Sequence, residues 1–159
     1  MRLSTQGRYA LRAMVDLTAH DGQGPVLRRD IAQRQDISSP YLAQLLGKLR
    51  QAGLVESILG PGGGYILARR PSQISAGQVL RAVGESLTIV YCVDPPPDGD
   101  CPRAEFCTTH PLWARLSENI NAALDATTLA ELHADAEGRR ALLDRAAETA
   151  DREQVEGTA

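Results

Sequence analysis

The chain has 159 residues, 43% hydrophobic but only 4% aromatic, with a formal net charge of −3. No apolar run nears the roughly 20 residues of a membrane span, the first residues lack the apolar core of a secretory leader, and three cysteines cannot close a paired disulfide framework. A cytoplasmic protein without membrane contact is expected, and the scarcity of aromatics leaves packing to leucine, alanine, valine and isoleucine, which favours helix.

The length suits one ordinary domain, or a small domain with a dimerising extension. The net charge alone disfavours nucleic acid, but it averages two unlike halves. Residues 1–73 carry ten Arg and Lys against five Asp and Glu, net +5, whereas residues 74–159 carry seven against fifteen, net −8. A basic half can approach a phosphate backbone while the acidic half stays clear of it.

In chain order, Thr5 to Ala19 reads as an amphipathic helix, with Tyr9, Ala13, Met14, Leu17 and Thr18 near one face and Arg8 and Arg12 on another. The turn Asp21 to Pro25 ends it, and Arg28 to Arg34 gives a short second helix buried through Ile31 and Ala32. After the turn Asp36-Ile37-Ser38 a third helix begins, with Ser38 or Ser39 as its cap and Pro40 in its first turn. Leu42, Leu45, Leu46 and Leu49 bury one side of it and Gln44, Lys48 and Gln51 face outward, which makes a helix-turn-helix. Gly53 stops this helix; Leu54 to Leu59 and Tyr65 to Leu67 then form two short strands around Gly60-Pro61-Gly62-Gly63-Gly64, the wing of a winged helix. A phosphate-binding loop is excluded at this glycine run because no Lys-Ser/Thr ends it and a strand follows.

Ser75 to Val83 suggests a fourth helix. A fifth begins at Pro111, capped by Thr108 or Thr109, and its Leu112, Leu116, Ile120 and Leu124 recur every fourth residue beside Trp113. That stripe needs a partner, and an antiparallel pairing with a second subunit is favoured over packing within the chain. Thr128 and Glu131 fit a capping box for one more short helix, and from His133 the alanine-rich, charged sequence reads as a partly helical, partly disordered acidic tail. The expected class is mainly α with a small β-hairpin wing. It divides into a winged helix-turn-helix over 1–70, a connecting helix over 71–91, a ligand-bearing loop over 92–110, a dimerisation helix over 111–132, and the tail over 133–159.

That loop holds the most chemistry. Cys92, Cys101 and Cys107 are the only cysteines, and His110 follows two residues after the third. Thiolates and imidazole are ligands for iron-sulfur clusters and zinc, and Pro95, Pro96, Pro97, Gly99 and Pro102 keep this stretch out of regular structure. A cysteine nucleophile paired with His110 lacks an oxyanion site and an orienting third group, so no catalytic residue is assigned and an enzyme is not expected.

Met1-Arg2-Leu3-Ser4-Thr5-Gln6-Gly7-Arg8-Tyr9-Ala10, Ile37-Ser38 with Tyr41-Leu42, Leu45 to Arg50, and Gly60-Pro61-Gly62-Gly63-Gly64-Tyr65 together resemble one family. It is the bacterial winged-helix repressors that include the iron-sulfur cluster regulator IscR and the nitric oxide sensor NsrR, and the likeness continues through Trp113, Leu116 and Thr128-Leu129. The resemblance implies a homodimer on double-stranded operator DNA, with an iron-sulfur cluster held between the fourth helix and the dimerisation helix. The DNA-facing set it implies comprises Arg2 and Arg8, Arg28, then Ser38, Ser39, Tyr41, Gln44, Lys48 and Arg50, and in the wing Gly62, Gly63 and Tyr65. Gln44 suits adenine, and Lys48 and Arg50 suit phosphate. His110 followed by Trp113 resembles the IscR branch, which implies Cys92, Cys101, Cys107 and His110 as ligands and favours 2Fe-2S over 4Fe-4S.

Three departures stand out. Eight residues, including Asp94, Asp98 and Asp100, separate Cys92 from Cys101 where the family has five, so a carboxylate stays open as an alternative to His110. Arg8 occupies the stretch from which the NsrR branch supplies its acid. Ala43 and Leu59 replace an acidic and a basic residue of the IscR branch, which predicts a different or more relaxed operator preference, measurable by selection from randomised duplexes. The functional expectation is a regulator whose operator binding responds to iron-sulfur status, redox state or nitric oxide. A cluster-free thiol-based redox repressor and a structural zinc protein are the alternatives.

Overall fold

The computed structural model describes residues 3–93 and 101–156, with the backbone alone for Ala104 and 146–156. Arg2, Asp94, Asp98, Asp100 and the proline run Pro95 to Pro97 lie outside the described residues. In order come α1 (Thr5–Ala19), α2 (Arg28–Gln35), α3 (Ser39–Gln51), β1 (Val55–Ile58), β2 (Gly64–Leu67), α4 (Ala76–Ala82), α5 (His110–Ala126) and α6 (Leu129–Glu156). The class is mainly α with a β-hairpin, as the apolar spacing predicts. Among the described residues no helix is long and apolar enough to cross a membrane.

The core lies where α1, α2 and α3 meet. Ala10, Ala13, Met14 and Leu17 from α1, Ile31 from α2, and Leu42, Leu45, Leu46 and Leu49 from α3 are buried together, closed below by Leu54, Val55, Ile74, Val79 and Leu129. The four α3 leucines hold one side of that helix inward because positions three and four apart share a face. The turn from α2 to α3 needs Asp36 at φ 51°, a left-handed conformation that aspartate tolerates better than most residues.

Among the described residues Asp16 is the one acidic side chain buried in the core, and the sequence gives no sign of it. It is 6% exposed on α1. Arg34 grips its carboxylate with Nε and Nη2 at 2.9 and 2.6 Å, and Gln35 Nε2 adds a third bond at 2.9 Å. This fixes α2 on α1, and the Asp16 carboxylate holds the Arg34 guanidinium above its ordinary pKa. Arg34 is partly exposed and can rehydrate, so Asp16→Asn should cost about 2 kcal/mol rather than the full penalty of a broken buried pair. A chemical-denaturation midpoint indistinguishable from wild type would contradict this.

The hairpin pairs Val55 with Leu67 through Ile58 with Gly64 in antiparallel register. It is also stitched to the segment after α1, where Val26 and Tyr65 exchange two backbone hydrogen bonds of 2.9 Å. At the tip, the Gly63 amide donates to the Gly60 carbonyl at 2.9 Å, with Pro61 second and Gly62 third at φ 76°. That is the residue order of a type II turn, whose third position requires a positive φ. Leu59 beside it is 92% exposed.

Three local expectations are corrected. Ser38 stands at the N-cap of α3 without a side-chain bond, while the neighbouring Ser39 Oγ accepts from Arg28 Nε at 3.1 Å. Thr109 likewise does not cap α5, since its hydroxyl lies 3.3 Å from the Cys107 sulfur. The helix expected to be short after Thr128 instead runs from Leu129 to Glu156. Its composition is rich in alanine, glutamate and arginine, so intrinsic propensity sustains it where an apolar stripe is lacking. Its start is the expected capping box, in which the Thr128 amide donates to Glu131 at 2.7 Å and Thr128 Oγ1 accepts from the Glu131 amide at 3.2 Å. Donation from the Thr128 amide, and after it from the Thr128 hydroxyl at 3.0 Å, holds the Glu131 carboxyl below its ordinary range.

Candidate nucleic-acid interface and metal centre

The outer side of α3 presents Gln44 exposed one turn before Lys48, with Ala43 half-buried beside it. Arg50, also exposed, donates from Nη1 to Ser57 Oγ at 3.1 Å and so braces the end of α3 against β1. Arg28 joins α2 to the start of α3 through Ser39. Arg8 is exposed near the start of α1, where Nη2 reaches Thr5 Oγ1 at 3.3 Å. Together with Gly62 and Gly63 at the wing tip, these residues edge the helix-turn-helix and wing with cations and hydrogen-bonding groups, the two contact types that duplex DNA requires.

Several sequence candidates have structural work. Tyr41 is half-buried and meets Tyr9 edge-on, centroids 6.1 Å apart, and Tyr65 packs against the core from β2. Arg12 lies over the Tyr9 ring at 5.3 Å and bonds both the side chain and carbonyl of Gln35, tying α1 to α2. Lys48 Nζ is the clearest departure from expectation. Rather than projecting free, it donates to Gln6 Oε1 at 3.2 Å and to the Val83 carbonyl at 3.3 Å.

The predicted ligands lie along the segment between α4 and α5 and at the first residue of α5. Cys92 sits in the helical turn Tyr91–Val93, Cys107 follows the turn Ala104–Phe106, and His110 is the first residue of α5. All three thiols are free and partly exposed. His110 Nε2 lies 3.2 Å from the Cys92 carbonyl. A carbonyl only accepts, so Nε2 donates and the neutral ring keeps its lone pair on Nδ1, available to a metal. The Thr109 hydroxyl, followed by the amides of Thr109 and His110 and the charge of Arg103, lowers the Cys107 thiol below its ordinary pKa. Tyr91 is pushed up, first by the charge of Cys101, then by a hydrogen bond to it.

Among the described residues no three His, Cys, Asp or Glu side chains converge tightly enough to hold a single metal ion. The donor set nevertheless fits an iron-sulfur centre: three thiols and an imidazole, one thiol already biased toward thiolate. Sequence reasoning missed the supporting groups. Ser117 is buried on α5 and its Oγ accepts from the Ile89 amide at 3.2 Å, while Asn121 Nδ2 donates to the Leu87 carbonyl at 3.2 Å. Arg81 on α4 meets Asn121 Oδ1 at 3.1 Å and pairs with Asp125. A serine and an asparagine four apart, flanking the apolar stripe rather than lying in it, are the signal the sequence offers.

Residues 3–135 match the Rrf2 family, described as iron-dependent transcriptional regulators. The chain is 47% identical over 132 residues to the HTH-type transcriptional regulator IscR of Serratia proteamaculans, covering 83% of this chain and 79% of that one. It is 46% identical over 137 residues to that of Aliivibrio salmonicida, covering 86% and 80%. In structure it is similar to T. potens IscR, with TM-score 0.71, 40% identity and coverage of 87% and 90%. CymR, the global cysteine regulator of B. subtilis, aligns with TM-score 0.68, 36% identity and coverage of 84% and 97%. The winged helix, the cation-edged α3 and the cysteine loop ahead of α5 thus belong to a chain that matches transcriptional regulators across most of its length, and it is a member of the Rrf2 family of iron-dependent transcriptional regulators.

Proposed function

We propose that this DNA-binding transcriptional regulator acts as a homodimer whose operator affinity is set by an iron-sulfur cluster, 2Fe-2S rather than 4Fe-4S, held by Cys92, Cys101, Cys107 and His110. The observation that carries the reading is the position of this donor set. It occupies the one segment joining α4, which packs beneath the winged helix, to α5, whose apolar stripe is left partly exposed. When bound, the cluster supplies a redox- and ligand-sensitive centre carrying less negative charge than one held by four thiolates.

The chain's own residues divide the remaining work. Gln44 offers its amide to a base edge, and Arg8, Arg28 and Arg50 offer charge to phosphates from α1, α2 and the end of α3. Wing glycines Gly62 and Gly63 bring backbone close to the duplex, and Ser38, Ser39, Tyr41 and Tyr65 orient the surface around them. Thr109 steadies Cys107, the Cys92 carbonyl orients His110, and Ser117 and Asn121 hold the incoming segment against α5. Regulation follows if the gathered and released loop favour different placements of the two winged helices.

The test is protein purified without oxygen, analysed for iron, sulfide and zinc, and compared with Cys92→Ala/Cys101→Ala/Cys107→Ala on a duplex selected from a random pool. Iron with equimolar sulfide and a visible spectrum, together with at least a ~5-fold difference in affinity, is expected. Zinc without sulfide points instead to a structural site, and absence of metal to a thiol sensor. Equal affinities of the two proteins would sink cluster-dependent regulation.

A further inference from the structure

The turn after α4 is gripped from both sides by elements of the DNA-binding unit. The Val83 carbonyl, freed at the end of α4, accepts from Lys48 Nζ on α3 at 3.3 Å and from Gln6 Nε2 on α1. Lys48 also bonds Gln6 Oε1 at 3.2 Å, so three elements share one knot. Two residues on, Glu85 closes the start of α1. Its carboxylate accepts from the Gly7 amide at 3.1 Å, the Ser4 amide at 3.4 Å and the Ser4 hydroxyl. A Cβ at position 7 would stand 2.8 Å from Glu85 Cγ, so only glycine admits this contact. The same turn continues directly into Leu87 and Ile89, which α5 holds through Asn121 and Ser117, and then into Cys92.

We propose that the turn Val83-Gly84-Glu85 is the joint through which the cysteine loop sets the position of α3, with Lys48 and Glu85 as positioning residues rather than DNA contacts or metal ligands. The proposal rests on the cluster-sensing reading for its signal, but not for its mechanics. Lys48 and Gln44 are one turn apart on the same helix side, so anchoring Lys48 fixes the tilt at which Gln44 is offered. A carbonyl at a helix C-terminus carries partial negative charge, which an ammonium stabilises, while the Glu85 carboxylate suits the positive N-terminus of α1. A shift of residues 83–85 driven from the loop therefore moves α3 and the start of α1 together, the two elements that bear Gln44 and Arg8.

The experiment uses the full-length protein, with and without cluster, on the selected duplex across a salt series, for wild type, Lys48→Met, Lys48→Arg, Glu85→Gln and Gln6→Ala. For the joint, Lys48→Met, Glu85→Gln and Gln6→Ala each bring the holo-to-apo affinity ratio to within about twofold of one. They keep the cluster spectrum and the wild-type salt slope, and Lys48→Arg restores the ratio. A drop of about one in the salt slope for Lys48→Met, with the ratio preserved, makes Lys48 a phosphate contact and overturns the proposal. Equal affinities of wild-type holo and apo protein would defeat the cluster-sensing reading alone. The joint is then decided on apo protein by salt slope and amide exchange. An unchanged slope with faster exchange in the last turn of α3 upholds it, and unchanged exchange overturns it. Gln6→Ala leaves both charges in place, so the joint is still decided if one of the charge variants fails to fold.

Discussion

Leu112→Asp/Leu116→Asp should convert the protein to a folded monomer with operator affinity reduced about 100-fold or more. The two side chains are 43% and 37% exposed at the start of α5, and Ser117 is the one buried residue among the described side chains of that helix. Little in the chain itself consumes the stripe they begin. Burying each leucine against a partner is worth roughly 1.5–3 kcal/mol, and a two-fold axis counts every contact twice. Separated winged helices lose the effective concentration that links two half-sites, which sets the size of the expected fall. Sedimentation reads the mass, circular dichroism the fold, and titration of the selected duplex the affinity. A double variant that stays dimeric would move the interface away from α5.

The second large effect is expected at the proposed cluster ligands. Cys107→Ser should abolish the visible spectrum of anaerobically purified protein, because it replaces a soft thiolate ligand, one whose thiol is already lowered below its ordinary pKa, with a hydroxyl. His110→Cys should keep a cluster but lower its reduction potential, on the order of 100 mV, by exchanging a neutral ligand for a charged one. Spectroelectrochemistry measures the shift. If His110→Ala leaves spectrum, potential and cluster lifetime as in wild type, His110 only begins α5 and the fourth ligand is a carboxylate.

Much of the architecture is legible because it rests on spacing. The bounds of α1 follow from its apolar positions, and those of α3 from Leu42, Leu45, Leu46 and Leu49 between the Asp36-Ile37-Ser38 turn and Gly53. The wing follows from strands flanking Pro61-Gly62, whose turn chemistry is local. The Thr128-Glu131 capping box is equally readable, since both partners lie within one turn. The Ser75-Gln78 box at α4 has the same form, although apolar spacing alone does not reveal it. Helix α6 exceeds its expected length because local propensity suffices where an apolar stripe is missing.

What the sequence alone determined, then, is the set of elements and the donor types: a winged helix-turn-helix, an exposed Gln44, three cysteines and a histidine on one proline-rich loop. Side-chain assignments across the chain were decided only by tertiary structure. Thr109 looks like a cap until the Cys107 sulfur takes up its hydroxyl. Nothing in the sequence around Asp16 announces that Arg34 and Gln35 close over it. Lys48 looks free to project outward until the Val83 carbonyl and Gln6 arrive beside it from residues 35 and 42 positions away. The physical reason is common to all of them. Periodicity and turn chemistry act within a few residues, whereas a polar group takes the best partner that the packed core brings within about 3 Å, and sequence separation carries no trace of that meeting.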